Sequence, residues 1–508
     1  MRRYKNGPDG PVRLLTNPRR KAGVLFEWGM LKDKAPHQTR LEMVTLEELV
    51  PKDHLLRLID RHIDFSFIHD RVKHLYSADN GRPAVDPTML FKMLFIGYLF
   101  GVRSERQLIR EIQVNVAYRW FLGLGLTDKV IDASTFSQNR RRRFDGTDIE
   151  QVIFDEIVEQ AMKKGLVAGD ALYTDSTHLK ANANKRRHTV VEVHVAPMDY
   201  LNELEAAVSA DRAAHGKKPL KPKAPAEETK PTKISDTDPE AGYMYRDQKP
   251  EGFFYLDHRT VDGRCGIITD TYVTPGNVHD ARPYLGRLDR QCDRFGLTPS
   301  VVGLDAGYNN TALCHGLVER GIDGVVGYKS PHGPPGRLRK RAYRYDRKLD
   351  AYICPMEQVL AYSTTDRKGY RSYKSDPNEC RRCPMLSQCT QSGNHQKVVV
   401  RHVWEDDLER INENRLTEWG KAVYVRRRET VERSFADAKQ LHGHRYARFR
   451  GRRRVQGQCL LAAACQNMKK IAYALFLWLL ARSGSLWELR KAFLCRPDCR
   501  FSQIAGAA

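Results

Sequence analysis

The chain has 508 residues, 41% of them hydrophobic and 29% charged, and carries a formal net charge of +23. That length exceeds one ordinary core and implies roughly two to four domains, while the cationic surplus favours a polyanionic partner, nucleic acid or an anionic membrane. A spanning helix is excluded: the most apolar stretch, IAYALFLWLLA (471–481), is far shorter than the about 20 residues that a bilayer needs, and it reads as a core helix. The N-terminus, MRRYKNGPDG, has no signal-type apolar segment, so the 11 cysteines read as thiols or metal ligands in a reducing cytoplasm. Nucleic acid is the expected partner.

Residues 1–40 are basic and rich in Pro and Gly, and they read as a loose tail. Residues 41–150 read as helical. Asp86-Pro87 gives a capping side chain followed by a proline suited to the first helical position, and TMLFKMLFIGYLFGV (88–102) is apolar nearly all round, as in a central bundle helix. Ser104-Glu-Arg-Gln107 and Thr135-Phe-Ser-Gln138 have the capping-box pattern and predict two further helix starts. NRRRRF (139–144) follows the second. Its Arg140 and Arg141 read as a solvated helix face or as phosphate contacts.

From residue 168 the pattern changes. VAGDALYTD (167–175) predicts a strand, EGFFYLDHRTVDGRCGIITDTYV (251–273) a hairpin turning at VDGR, and ARPYLGRLDRQCDRFG (281–296) a helix. PSVVGLD (299–305), TALCHGLVERG (311–321) and IDGVVGYK (322–329) then predict strand, helix and strand. This order implies an α/β domain on a mixed sheet, antiparallel in its first part and parallel in its βαβ part. The catalytic-type core occupies 165–330 and 401–455. Within it, 196–240 holds a helix (YLNELEAAVSADRAAH) and the Pro/Lys-rich GKKPLKPKAPAEETKPTK, which predicts disorder. Residues 330–400 form an insertion with four cysteines, and 456–508 a C-terminal helical segment.

Asp175 and Asp305 each close a predicted strand, and in open sheets sites form at the carboxyl ends of strands. Strand-end aspartates also serve as turn residues. Glu432 falls on a predicted helix in RRRETVERSFADAKQLHGHR (426–445), four residues after Arg428, where a surface ion pair is the plain reading. Glu429, three residues before Glu432, competes with it. If the three acids converge, they supply oxygen ligands for Mg²⁺ or Mn²⁺, and a pair of such ions about 4 Å apart clamps an in-line displacement at a phosphodiester. The neighbouring Arg428 and Lys439 would then contact phosphates. HGHRYARFRGRRR (442–454) interleaves Tyr446 and Phe449 with arginines, which suits DNA contact or helix packing equally. His258 and Asp280 are candidates for supporting the site or for structural hydrogen bonds. Cys354, Cys380, Cys383 and Cys389 suit a tetrahedral structural zinc site as readily as four separate thiols.

The blocks GRPAVDPTMLFKMLFIGYLFGVRSERQL, YRWFLGLGL, DASTFSQNRRRRF, YTDSTHLKANANK, HRTVDGRCGIITDTYVTPGNVHD, VVGLDAGYNN and RRRETVERSFADAKQLHGHRYARFRG resemble, in family order, the DDE-type transposases of bacterial insertion sequences, within them the group numbered eleven-eighty-two. The resemblance runs from about residue 41 to 470. It implies a ribonuclease-H-like core whose triad is Asp175, Asp305 and Glu432, binding two Mg²⁺ or Mn²⁺ ions. It also implies DNA cleavage at element ends with strand transfer into target DNA, double-stranded DNA as partner, and a homodimer in the synaptic complex. Arg428, Arg433, Lys439 and Arg445 are the expected phosphate contacts around the triad. A related signature spaces Tyr, Arg, Glu and Lys by two, three and six residues. Arg428, Glu432 and Lys439 match it, but Val425 stands at the Tyr position, with Tyr424 one residue early. A stand-alone metal-dependent nuclease and an inactive DNA-binding regulator are the rival readings.

Overall fold

A computed structural model describes residues 43–77, 84–194, 200–221, 229–245, 251–328, 330 and 335–482. The basic tail, part of the Pro/Lys-rich segment and most of the C-terminal segment lie outside the described residues. The fold is mixed α/β, with helices around several sheets.

Helices come first. Asp86 caps the helix Pro87–Leu99 by accepting the Thr88 and Met89 N–H groups at 2.9 and 3.3 Å, and nine residues of that helix are buried. Its all-round apolar surface places it centrally, as its sequence dictates. Ser104 caps Glu105–Val114, accepting the Gln107 N–H at 3.4 Å. The Gln107 amide turns forward to Glu111 at 2.8 Å instead of back to the cap, so only half of the predicted box forms. The second predicted start is displaced. The helix Ala133–Asn139 begins two residues before Thr135, and Arg140–Phe144 continues it as a wide π turn.

The main sheet is built from β1 (Ala171–Lys180), β2 (Gly252–Asp262), β3 (Ile268–Pro275), β4 (Val301–Leu304) and β5 (Asp323–Val326). The lateral order is β3-β2-β1-β4-β5, and a short strand, Gly242–Met244, also pairs with β2. β1, β2 and β3 are antiparallel neighbours, whereas β4 and β5 run parallel to β1. The turn at VDGR forms because Asp262 accepts the Arg264 N–H at 2.9 Å with one carboxylate oxygen and the Gly169 N–H at 2.8 Å with the other. Every residue of β2 is buried. β1 runs five residues past Asp175, so this aspartate sits within its strand and does not close it.

The Pro/Lys-rich segment departs from expectation. Its end, Thr229–Ser235, pairs antiparallel with His188–His194 as a two-stranded ribbon. Pro231 is tolerated because a two-stranded ribbon consists only of edges. Residues 344–402 form a separate five-stranded antiparallel sheet whose strands neighbour one another in chain order. Helices Glu405–Asn414, Glu418–Arg427 and Arg433–Leu441 return the chain to the main sheet.

The helix Arg452–Arg482 lies along the outer edge of β3. The Gln456 amide exchanges hydrogen bonds with Val273 N (2.7 Å) and Thr271 O (2.9 Å), and the Asn467 amide with Ile268 N and O (both 2.8 Å). These two side chains satisfy backbone groups that an exposed edge would leave open to another strand. The same helix packs against Leu55–His62, Pro87–Leu99 and Ile149–Lys163. Its apolar end only partly meets the core-helix expectation: Ile471 and Ala472 are buried, but Tyr473, Trp478 and Leu479 are exposed.

Candidate active site

Strand register brings the first two aspartates together. Thr174 on β1 pairs with Leu304 on β4, so Asp175 and Asp305 are the next residues on adjacent parallel strands, whose axes are separated by about 4.8 Å. Asp305 immediately follows the end of β4, and its carboxylate accepts the Ala306 N–H to open the turn Ala306–Tyr308. Asp175 accepts the Ser176 N–H at 2.7 Å, and the Ser176 hydroxyl donates to Asp280 at 2.7 Å. Burial pushes the Asp175 carboxyl up to about 6. Arg427 and the Ser176 N–H oppose that rise, while the charges of Asp305 and Asp280 add to it. Three carboxylates thus crowd one partly dehydrated spot, an arrangement that a bound cation would relieve.

Glu432 arrives from the helical side. Arg428–Glu432 is a π turn between Glu418–Arg427 and Arg433–Leu441. In such a turn residues five apart stack above one another, where an ordinary helix would stack those four apart. The consequence is a correction to the expected pairing. Arg427, not Arg428, reaches Glu432, at 3.6 Å from its Nη1, while its Nη2 donates to Asp175 Oδ2 at 3.0 Å. The Arg427 side chain is only 4% exposed, against 22% for Asp175 and 48% for Glu432. Arg428 and Glu429 are both exposed.

The same turn accounts for the misplaced tyrosine. Tyr424 is half-buried, 5.3 Å from ring centroid to the Arg427 guanidinium, and its hydroxyl accepts from Arg427 at 3.4 Å, whereas Val425 is exposed. Tyr424 and Arg427 keep the signature's two-residue gap. Both are set one residue early, and the widened turn absorbs the extra residue before Glu432.

The other expected contacts divide. Lys439 is half-buried and its pKa is lowered, first by burial and then by Arg445 and Arg259, against the pull of Asp175 and Asp257. Arg433 is exposed and pairs with Asp437 at 3.0 Å. Arg445 is exposed and donates to the Lys439 carbonyl at 3.3 Å. Arg140 pairs with Glu105 at 3.0 Å and covers the Phe449 ring at 4.3 Å, so Phe449 packs against it; Arg141 is exposed. Tyr446 is 46% exposed, between Arg103 at 5.4 Å and Lys180 at 6.0 Å from its ring. His258 is fully buried and hydrogen-bonds Thr274 Oγ1 at 2.8 Å; burial pushes it down to about 3, which keeps it neutral.

Sequence reasoning missed the network beneath the site. Arg259 lies opposite Asp175 on β2 and pairs with Asp257 at 2.9 Å, and His444 Nε2 lies 2.8 Å from the same Asp257. Burial alone would raise the Asp257 carboxyl, but Arg259 and His444 hold it well below the usual carboxylate range. Arg259 also covers the Phe435 ring at 4.9 Å, tying the helix after Glu432 to the sheet. The only legible signal was the alternation DHR in a strand.

Two family models match the chain. Residues 44–142 match a transposase domain (DUF772), and residues 353–472, which include Arg427, Glu432 and Lys439, match a transposase DDE domain. Both matched stretches are thus similar to transposase domains, the second of the DDE type. Asp175 and Asp305 lie between the two matched stretches. No curated protein sequence matches the chain. Among solved structures, a piggyBac transposase synaptic complex with hairpin DNA aligns at 10% identity and a TM-score of 0.33, over 89% of this chain and 83% of that one. A Mos1 transposase paired-end complex aligns at 12% identity and a TM-score of 0.15, over 50% of this chain and 64% of that one. At these scores neither alignment informs on the fold. Among the described residues, no helix is long and apolar enough to cross a membrane.

Proposed function

We propose that this chain is a DDE-type transposase that cuts phosphodiesters at the ends of its element and joins the freed 3′-hydroxyls to target DNA, with Asp175, Asp305 and Glu432 as its catalytic carboxylates. The observation that carries this reading is the adjacency of Asp175 and Asp305 on parallel strands, with Arg427 joining Asp175 to Glu432. The lateral strand order, three antiparallel strands followed by two parallel ones, supports a ribonuclease-H-like core.

The crowded carboxylates fit a divalent cation, with Mg²⁺ or Mn²⁺ as the expected ion and two as the expected number. Bound to these oxygens, such ions supply the positive charge that an in-line phosphoryl displacement needs on its attacking and leaving oxygens. The chain's own residues do the rest. Arg427, fixed by burial, holds Asp175 ionised and fixes the place of Glu432. Asp280 takes the Ser176 hydroxyl and so fixes the strand backbone beside Asp175. Lys439 presents a cation next to the carboxylates, where it meets a phosphate flanking the scissile bond. Hydrolysis and strand transfer pose the same electrostatic demand, so one site serves both and no covalent enzyme intermediate is required.

The partner is double-stranded DNA, contacted by exposed arginines that include Arg141, Arg428, Arg433 and Arg445, with two chains acting in the synaptic complex in the cytoplasm. A strand-transfer assay tests the reading. Purified protein, DNA carrying the element's ends and Mg²⁺ should yield ends covalently joined to target DNA. Nicked ends without joined products would show a nuclease instead, and binding without either would show an inactive regulator.

A further inference from the structure

The four cysteines of the 344–402 sheet are unused by the proposed reaction. This part of the chain has a small core, with Tyr343, Tyr352, Leu360, Tyr373 and Val399 as its buried apolar residues. Cys354 and Cys389 pack against that cluster. The helical turns Pro377–Arg381 and Leu386–Cys389 have five and four residues and bury none of them. Segments so short do not hold a helical shape unaided, and small cores of this kind need a staple.

The sulfurs point to one. Cys354 follows the strand Ala351–Ile353 in a tight turn with Glu357 at φ +57°, and its Sγ accepts the N–H groups of both Met356 and Gln358 at 3.3 Å. Cys389 Sγ lies 3.0 Å from the Tyr343 hydroxyl, and Cys380 Sγ donates to Ser375 Oγ at 3.1 Å. Tyr343 belongs to the apolar cluster that Cys354 and Cys389 both pack against. Cys383 stands one turn beyond Cys380, its N–H donating to the Cys380 carbonyl at 3.1 Å.

We propose that Cys354, Cys380, Cys383 and Cys389 bind one Zn²⁺ tetrahedrally, pinning the two helical turns to the edge of the five-stranded sheet. Cys380 and Cys389 now face hydroxyl groups, so binding turns both side chains about χ1 onto the ion, with four Zn–S bonds of about 2.3 Å and release of the thiol protons. A rival donor set exists. Asp257, His444 and Cys459 offer ligand atoms within 4.8 Å of one another, all buried. Its carboxylate is already engaged by Arg259, His444 and Thr271, and the Arg259 guanidinium beside it repels a second cation.

The test is metal content of the full-length protein, purified without chelator from zinc-supplemented cells. The expected result is one zinc per chain, retained in Asp305→Asn and Cys459→Ser and lost in Cys380→Ser and Cys383→Ser. Should a cysteine variant fail to fold, stepwise thiol modification of the wild-type protein decides, because zinc must leave as the four thiols react. Cobalt exchanged for zinc should show tetrahedral thiolate absorption. Absence of zinc, iron with sulfide in its place, or zinc lost with Cys459 alone would overturn the proposal. None of these readouts depends on transposition chemistry.

Discussion

Arg427 and Asp175, 252 residues apart in the chain, share a hydrogen bond of 3.0 Å, the arginine side chain buried and the aspartate partly so. The guanidinium offsets the burial that pushes the Asp175 carboxyl up to about 6. Removing it in Arg427→Met is expected to raise that pKa further and to move the acidic limb of the cleavage–pH profile upward by about one unit or more, costing about twofold in rate at pH 7 for one unit and about tenfold for two. Arg428→Met, at an exposed position, is expected to leave the profile in place and to weaken DNA binding in a salt-dependent way. Reversed profiles would return the arginine's role to Arg428.

Asp305 caps a turn through one oxygen and faces Asp175 across the strand boundary. Asp305→Asn keeps the cap and removes the charge, so DNA binding by mobility shift should stay near wild type while cleavage disappears. A variant that still cuts would remove Asp305 from the catalytic set.

Glu432 and Glu429 differ in what they meet. Only Glu432 approaches the Arg427 guanidinium. Glu432→Gln is expected to lower cleavage by at least about 10²-fold, and Glu429→Gln to change it little. Equal losses in parallel cleavage assays would mean that the π turn does not set the register proposed for it.

The raised pKa of Asp175 has a stability consequence whose sign is fixed. Between the unperturbed 3.8 and about 6, the folded protein binds the extra proton, so stability falls as pH rises through that window. Asp175→Asn should therefore be more stable than wild type at pH 7 in the absence of divalent ions, by about 3 kcal/mol at most, and equal to it below pH about 4. Added Mn²⁺ should raise the melting temperature of wild type and not that of the variant. Thermal unfolding at two pH values, with and without the ion, measures both effects.

Much of this was legible in the residues. The strand and helix order from 168 to 329 follows from period and turn chemistry, and Asp305 at the end of its strand was visible directly. Asp175 was found, but its place within a longer strand was not, because THLK continues the strand with no break signal to mark either outcome. Arg427 was hidden for a geometric reason. Three successive arginines are indistinguishable in sequence, and the four-residue spacing that selects Arg428 holds only in an ordinary helix. The ribbon strand Thr229–Ser235 was missed because a Pro/Lys composition argues against packing, while a two-stranded ribbon asks for hardly any. The Asp257–Arg259–His444 network joins positions 187 residues apart, and only the alternation DHR within one strand hinted at it.

The helix Arg452–Arg482 has 31 residues and is therefore about 46 Å long. It is bonded along β3 and wedged among the N-terminal helices, so it acts as a strut between two parts of the molecule that sequence alone would treat as separate. Were a duplex gripped by the N-terminal helices, it would be offered to Asp175 and Asp305 at a set spacing. The enzyme would measure its cut as a gauge does, by stiffness, and a single base pair inserted between grip and cleavage point should shift the cut rather than stretch the protein.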